Sequence, residues 1–363
     1  MKYFDGCRIA VTGACGTVGS ELIKQLLSRA DCTPSEVIGI DNNETALFFL
    51  EQEYFSEARA NFQLTDISDA IALDRLFNGV DIVFHTAALK HVVLCERSPG
   101  QSVNTNIVGL QNVISAALKN KVAKTIFTSS DKAVNPTSVM GTSKLMGERL
   151  MTAANNSHGL DGSIFTSTRF GNVLGSNGSV IPIFANQIAK GGPVTLTDVD
   201  MTRFVMSLEE SVHLVIDSAL IARGGEVLIT KMPVIRIEDL AAVMIEELAP
   251  QFGRDPADYE INIIGSKPGE KLYEELMSDE EVRRTVELAN YFSVMPAFRG
   301  IYRDISYDYD DVISTTVNNP YISKNESSLS VEELRQFLVD NKLLENITGG
   351  VASRYWPEKK KGS

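Results

Sequence analysis

The run Arg8-Ile-Ala-Val-Thr12, followed by Gly13-Ala-Cys-Gly16-Thr17-Val18-Gly19 and then by Glu21-Leu-Ile-Lys-Gln-Leu-Leu27, decides the fold. A short β-rich run, a glycine-punctuated turn and an amphipathic repeat read in order as strand, tight turn and helix. The glycine spacing GxxGxxG is a variant of the dinucleotide-binding fingerprint, and it sits where that fingerprint belongs. Gly13 permits the sharp turn, Gly16 lets backbone approach a pyrophosphate without an intervening Cβ, and Gly19 lets the helix pack close to the sheet. The helix N-terminus at Thr17 and Val18 then faces the phosphates, with Thr12 at the strand end beneath.

The same alternation continues outward from this unit. Glu36-Val-Ile-Gly-Ile-Asp41, Asn61-Phe-Gln-Leu64, Asp81-Ile-Val-Phe-His85, Lys124-Thr-Ile-Phe-Thr128 and Ser163-Ile-Phe-Thr-Ser-Thr-Arg169 read as further strands, with a helix over Val103 to Lys119. Apolar strands alternating with amphipathic helices predict an α/β fold, a Rossmann-type doubly wound parallel sheet. After Phe170-Gly-Asn172 the alternation lapses and glycine and proline become frequent. The expected organisation is a dinucleotide-binding domain over 1–170 and a smaller substrate lobe mainly over 171–305. Segments 205–225 and 234–250 are expected to pack back on the first domain. Residues 306–363 read as an extension with one helix, Ser330 to Asn341, and a lysine-bearing tail.

At 363 residues the chain suits one large α/β unit with an appended lobe. A hydrophobic content of 44%, a charged content of 22% and a net charge of −13 argue against an electrostatic grip on nucleic acid or anionic lipid. Cys7, Cys15, Cys32 and Cys95 form no CxxC pair, and with four histidines they offer no metal-binding spacing. They read as reduced thiols, and a cytoplasmic location is expected. No stretch approaches the roughly 18–20 apolar residues of a membrane helix.

Asp41 closes the second strand about 20 residues after the glycine turn. An acid there accepts from a ribose 2′-hydroxyl and repels a 2′-phosphate, which favours NAD over NADP. Asp41 could equally close a turn, as its neighbours Asn42 and Asn43 would suit. Asp66, followed by Ile67, has the same two readings, as a turn residue or as a neighbour of the adenine.

Five further segments narrow the reading. Ala87-Ala88-Leu-Lys90-His91, Ser130-Asp131-Lys132-Ala-Val-Asn-Pro136, Arg169-Phe-Gly-Asn172-Val-Leu-Gly-Ser-Asn-Gly-Ser-Val-Ile-Pro182, Met201-Thr-Arg203-Phe204 and Lys267-Pro-Gly-Glu270-Lys271-Leu272 occur in that order. Together they resemble the extended short-chain dehydrogenase/reductase superfamily, in its polysaccharide-biosynthesis branch of nucleotide-sugar 4,6-dehydratases. The resemblance spans about residue 5 to about residue 300. It implies oxidation of a sugar at C4, loss of water across C5 and C6, and hydride return to C6. The implied substrate is UDP-N-acetylglucosamine, the product a 4-keto-6-deoxy sugar nucleotide for surface glycan synthesis, and the assembly a homo-oligomer.

Roles follow from the resemblance. Asp131 would be the acid at C6 and Lys132 the base at C5, on a loop at the carboxyl end of a parallel strand. Alone, the two would read as a solvated loop pair. The superfamily's Tyr-x-x-x-Lys appears here as Met140-Gly-Thr-Ser-Lys144, and a thioether cannot carry a proton. The C4 base is then Asp131, Ser130 or a water polarised by Lys144, with Asp131 preferred. Lys144 would bind the nicotinamide ribose, with Ser129, Ala87, Ala88 and Lys90 beside it. Lys90, His91, Asn172, Arg203, Lys267, Glu270 and Lys271 are the candidate substrate contacts, and Arg203 suits bidentate phosphate binding. His91 carries no chemical role. The alternatives are a C5-inverting dehydratase or epimerase, a GDP-sugar dehydratase, and a catalytically silent NAD-binding regulator.

Overall fold

The structure is a computed structural model and describes residues 4–156, 162–175, 180–265, 271–298 and 305–345. Strands β1 (Arg8–Thr12), β2 (Glu36–Asp41), β3 (Ala60–Leu64), β4 (Ile82–His85), β5 (Lys124–Ser130) and β6 (Ile164–Phe170) alternate with helices. Next come β7 (Asn172–Val173), β8 (Val194–Leu196), β9 (Thr202–Met206), β10 (Val227–Thr230), β11 (Val234–Arg236) and β12 (Ile261–Ile263). The last are β13 (Thr285–Leu288), β14 (Tyr291–Val294) and β15 (Val312–Ser314).

The chain forms two compact units. The first comprises Met1–Gly171, Glu209–Lys231 and Glu275–Ile322. Its sheet has the order β3-β2-β1-β4-β5-β6-β10-β14-β13-β15. From β3 to β10 the strands are parallel, as the sequence predicts, because the connections between them run through helices. Ala10, Ile38, Val83, Phe127 and Phe165 pack with Leu110, Val113 and Ala117 of the helix Leu110–Lys119 in one buried cluster. Strand order reverses between β1 and β4, which is where a doubly wound sheet opens its ligand crevice.

The second unit comprises Asn172–Leu208, Met232–Glu274 and Ser323–Ser363. It holds the small sheets β11-β9-β7 and β12-β8. Its core joins helices Val180–Lys190, Ile237–Leu248 and Val331–Asp340 through Phe184, Ile188, Leu240, Met244, Leu248, Leu334 and Leu338.

Three expectations are corrected. Helix Ile237–Leu248, expected to pack back on the first domain, belongs to the second unit, because its apolar face meets the other two helices of that core. Residues 275–322, expected in the lobe and its extension, lie in the first unit, because β14 pairs antiparallel with β10 and carries β13 and β15 outward. The helix expected from Val103 starts four residues earlier: an α-helical turn over Pro99–Ser102 runs into a π-helix over Val103–Gly109, and the α-helix resumes from Leu110. A π segment inside a helix commonly marks a functional position. Here it presents Asn106 to the backbone of Leu89.

The glycine turn is built by contact. A Cβ on Gly13, whose φ is +73°, would lie 2.7 Å from the backbone of Ala87, so the loops after β1 and β4 touch only because Gly13 has none. A Cβ on Gly19 would lie 2.1 Å from the Gly13 carbonyl oxygen. Both neighbours are backbone atoms, not the far ends of flexible side chains, and cannot step aside cheaply. Gly19→Ala should therefore cost about 1–3 kcal/mol of stability, read as a lower urea midpoint, and weaken NAD binding. An unchanged midpoint would show that the turn has slack.

Candidate functional site

The groove at the reversal point is lined by Gly13, Gly16, Ile40, Asp41, Asn42, Thr65, Asp66, Ile67, Thr86, Ala87, Ala88, Leu89 and Thr105. Most of the residues nominated for a dinucleotide thus meet along one wall. The helix Thr17–Ser28 starts at Gly16 without a side-chain cap, so the N–H groups of its first turn remain open to an anion. Asp41 accepts from the backbone N–H of Cys15 at 2.9 Å and of Asn43 at 2.9 Å, which fixes its carboxylate at the end of β2. Asn42 donates to Asp66 at 2.7 Å, and Asp66 also accepts from the Ser68 N–H. These bonds hold the Asp66 carboxyl below its usual range. The arrangement fits a dinucleotide, with an uncapped helix start for the pyrophosphate and a fixed carboxylate at the ribose position.

The floor of the site is buried polar structure. Thr12 Oγ1 and His85 Nδ1 share a hydrogen bond at 2.7 Å, and the His85 ring stacks on Phe127. Burial, reinforced by the charge of Lys144, pushes the His85 pKa down to about 3, so this imidazole is neutral. Its Nε2 has no partner among the described residues. Asn106, absent from the sequence reading, bonds both the N–H and carbonyl of Leu89 and donates to Ser143 Oγ at 2.9 Å. An asparagine inside an otherwise helical run was the available signal.

Asp131 and Lys132 form a short 3-10 turn directly after β5. Asp131 is 4% exposed, and Lys132 Nζ lies 2.9 and 3.1 Å from its two carboxylate oxygens. Ser130 Oγ accepts from the Lys132 N–H and so shapes the turn. Helix Val139–Ala154 packs on that turn. A Cβ on Gly141 would lie 2.3 Å from the Lys132 carbonyl oxygen, so the close approach needs the glycine next to Met140. Met140 is buried and its carbonyl accepts from Ser143 Oγ. Lys144 is buried too. Its Nζ donates to the Thr128 carbonyl at 2.8 Å and lies 4.7 Å from the Phe127 ring centre. Burial lowers its pKa to about 8, opposed by the nearby Glu148.

A second buried network lies behind these residues, and the sequence reading did not single it out. Glu148 Oε1 accepts from Ser129 Oγ at 2.6 Å and from Arg169 Nε at 2.9 Å, and its Oε2 accepts from Arg169 at 2.6 Å. Arg169 also donates to both oxygens of Glu281 and to the Leu276 carbonyl. Burial pushes Glu281 up, but the charge and hydrogen bonds of Arg169 win and hold it at about 2. An arginine at the end of a buried strand, and a glutamate four residues after Lys144, were the signals available.

The other nominated residues are placed differently. Lys90 is exposed, and His91 is an exposed residue preceding helix Val92–Arg97. In the second unit, Asn172 donates to Glu274 Oε1 at 3.0 Å, and Arg203 Nε lies 3.3 Å from the same oxygen. The other Arg203 nitrogens donate to the carbonyls of Thr202, Lys271 and Leu272. Arg203 is thus a clamp on the 271–274 segment and does not present the open fork expected of a phosphate ligand. Lys267 and Glu270 lie outside the described residues. The described residues hold no group of three or more metal-ligating side chains, and none of their helices is long and apolar enough to cross a membrane.

The chain is similar to known proteins over most of its length. The family model described as polysaccharide biosynthesis protein matches residues 9–296. An uncharacterized membrane protein of Methanocaldococcus jannaschii is 51% identical over 295 residues, covering 81% of this chain and 87% of that one. A UDP-glucose 4-epimerase of Rickettsia canadensis is 35% identical over 338 residues, covering 91% and 95%. The solved structure of Pen from Bacillus thuringiensis superposes with a TM-score of 0.84 at 38% identity, covering 94% and 99%.

The buried network makes stability depend on acid. Glu281 is held below the ordinary carboxyl value of 4.5, so its contribution is full above that value and lost as pH falls toward 2. Unfolding free energy should drop by up to about 3 kcal/mol across that window, and Glu281→Gln should flatten this part of the profile. Denaturant titrations at stepped pH values decide it, and equal slopes in the two proteins would refute the assignment.

Proposed function

This chain belongs to the polysaccharide biosynthesis protein family, and on that premise we propose that it is a nucleotide-sugar 4,6-dehydratase acting on UDP-N-acetylglucosamine. The supporting observation is the buried Asp131 in direct contact with Lys132 at the end of β5, on the turn that the Lys144 helix packs against. Elimination of water from a 4-keto sugar needs a base at C5 and an acid at C6 within a few ångströms of each other, and this pair supplies both. We assign the cofactor as NAD, because the fixed Asp41 carboxylate accepts ribose hydroxyls and repels a 2′-phosphate. When bound, it accepts hydride from C4 and returns it to C6.

The proton inventory closes without the missing tyrosine. In the resting protein Asp131 and Lys132 are an ion pair, and the cycle begins once the Lys132 ammonium has released its proton to solvent, leaving Asp131 as the carboxylate and Lys132 as the amine. Asp131 takes the C4 hydroxyl proton as C4 is oxidised. Lys132 then takes the C5 proton while Asp131 gives its proton to the C6 hydroxyl, which leaves as water. After C6 is reduced, the Lys132 ammonium protonates C5, and both groups regain their starting forms. Lys144 orients the nicotinamide ribose, while Ser130 shapes the turn. Met140 fills the tyrosine's place with an apolar side chain.

The epimerase name of the Rickettsia relatives supports a second reading, in which oxidation at C4 is followed by return of hydride to C4. That reaction leaves C5 and C6 untouched and has no use for an acid-base pair there. The protein incubated with UDP-N-acetylglucosamine in D₂O and followed by NMR should give a 4-keto-6-deoxy product carrying deuterium at C5. A product that keeps its C6 hydroxyl would establish the epimerase. Asp131→Asn and Lys132→Ala should each lower turnover by about 10²–10⁴-fold while NAD still binds. Full activity in either variant would remove that residue from the mechanism.

A further inference from the structure

We propose that Glu148 is a positioning residue of this site: its carboxylate, gripped by Arg169 and Ser129, is the counter-charge of the buried Lys144 ammonium. The consequence for turnover rests on the role given to Lys144 above, whereas the charge pairing itself does not.

Lys144 and Glu148 are one turn apart on helix Val139–Ala154, so their side chains leave on the same face. They are 8% and 2% exposed. The Thr128 carbonyl and the Phe127 ring attract an ammonium but carry no net charge to cancel it. The charged and titratable groups on the surrounding elements are few. His85 at the end of β4 is neutral. Asp131 and Lys132 are paired with each other. Glu96, on helix Val92–Arg97, is exposed and accepts from the Val139 N–H at the start of the Lys144 helix. Arg169 on β6 is held by Glu148 itself. Glu148 is therefore the anion that acts on Lys144, and it is the neighbour that resists the loss of the Lys144 proton on burial.

The carboxylate is also fixed in space. Ser129 holds one oxygen from the residue before Ser130, and the Arg169 fork holds both, with Glu281 completing the fork on its other side. The charges of Lys144, Arg169, Glu148 and Glu281 sum to zero, which a buried cluster requires. One side chain thus ties the strand leading to the Asp131 turn to the charge state of the lysine beside it.

The test reads Lys144 directly, by trace acetylation of the intact protein across pH and mass spectrometry of the Lys144 peptide. The wild-type midpoint is expected at about 8. In Glu148→Gln it should fall by about one unit or more, a tenfold loss of proton affinity. Glu281→Gln removes a charge from the same arginine fork without touching the lysine, and should leave the midpoint within about 0.3 unit. Equal shifts in the two variants, or none in either, overturn the proposal. Should Glu148→Gln fail to fold, the double variant Glu148→Gln with Arg169→Gln takes its place, since Glu281 keeps Arg284 and Ser278 as neighbours. Because losing the arginine charge by itself raises lysine proton affinity, the double variant is read against Arg169→Gln alone: its midpoint is expected about one unit lower, and equal midpoints overturn the proposal. In turnover, the alkaline limb of the pH profile should follow the Lys144 midpoint downward. If the wild type turns over no nucleotide sugar, the dehydratase reading fails while the acetylation result still decides the charge pairing.

Discussion

The contact on which most of the first unit depends is the fork of Arg169 between Glu148 and Glu281. A guanidinium that is 1% exposed persists in a protein only if its charge is matched and its N–H groups are met. Here two carboxylates and the Leu276 carbonyl do both. Arg169 stands on β6 and its partners come from the Lys144 helix and from the returning segment after residue 275, so one ionic cluster joins three stretches of chain. Removing either acid leaves buried charge without its full match, which is why such clusters tolerate little change.

Close backbone approach is the second constraint. Gly13 lets the loop after β1 touch Ala87 after β4, Gly19 brings its helix against the Gly13 carbonyl, and Gly141 brings the Lys144 helix against the Lys132 carbonyl. The first two shape the dinucleotide groove. The third sets the distance between the helix and the Asp131-Lys132 turn. These contacts work through the absence of a side chain, and the chemistry then falls to the few polar groups they bring together. Met140 fits this pattern, because an apolar residue at a buried helix start can replace a tyrosine without disturbing the packing around it. In the proposed mechanism the proton duty passes to Asp131, and the electrostatic duty stays with Lys144 and its neighbour Glu148.

Both units gather segments that are distant in sequence. Helix Leu208–Ile221 and strand β10 extend the first unit, and the β13 to β15 strands close its sheet in antiparallel sense. The second unit draws its core from helices spread between residues 180 and 340. In that unit Arg203 and Asn172 both meet Glu274, which converts two nominated ligand residues into the framework of the 271–274 segment.

Short windows of the chain encode much of the first unit. The strand, glycine turn and helix at 8–27, the parallel strands that follow, the helix near residue 330 and the acid at the end of β2 all rest on local periodicity and turn chemistry. The adjacency of Asp131 and Lys132 and the interval from Met140 to Lys144 are local in the same way, while the roles proposed for them come from the family resemblance. Tertiary structure alone decided which unit owns Ile237–Leu248 and residues 275–322, and that Arg203 is internally bonded. It alone joined Arg169 to Glu148, 21 residues away, and to Glu281, 112 residues away. Those outcomes depend on which distant groups share a buried volume, and burial with charge matching is a property of the assembled chain that no local pattern carries.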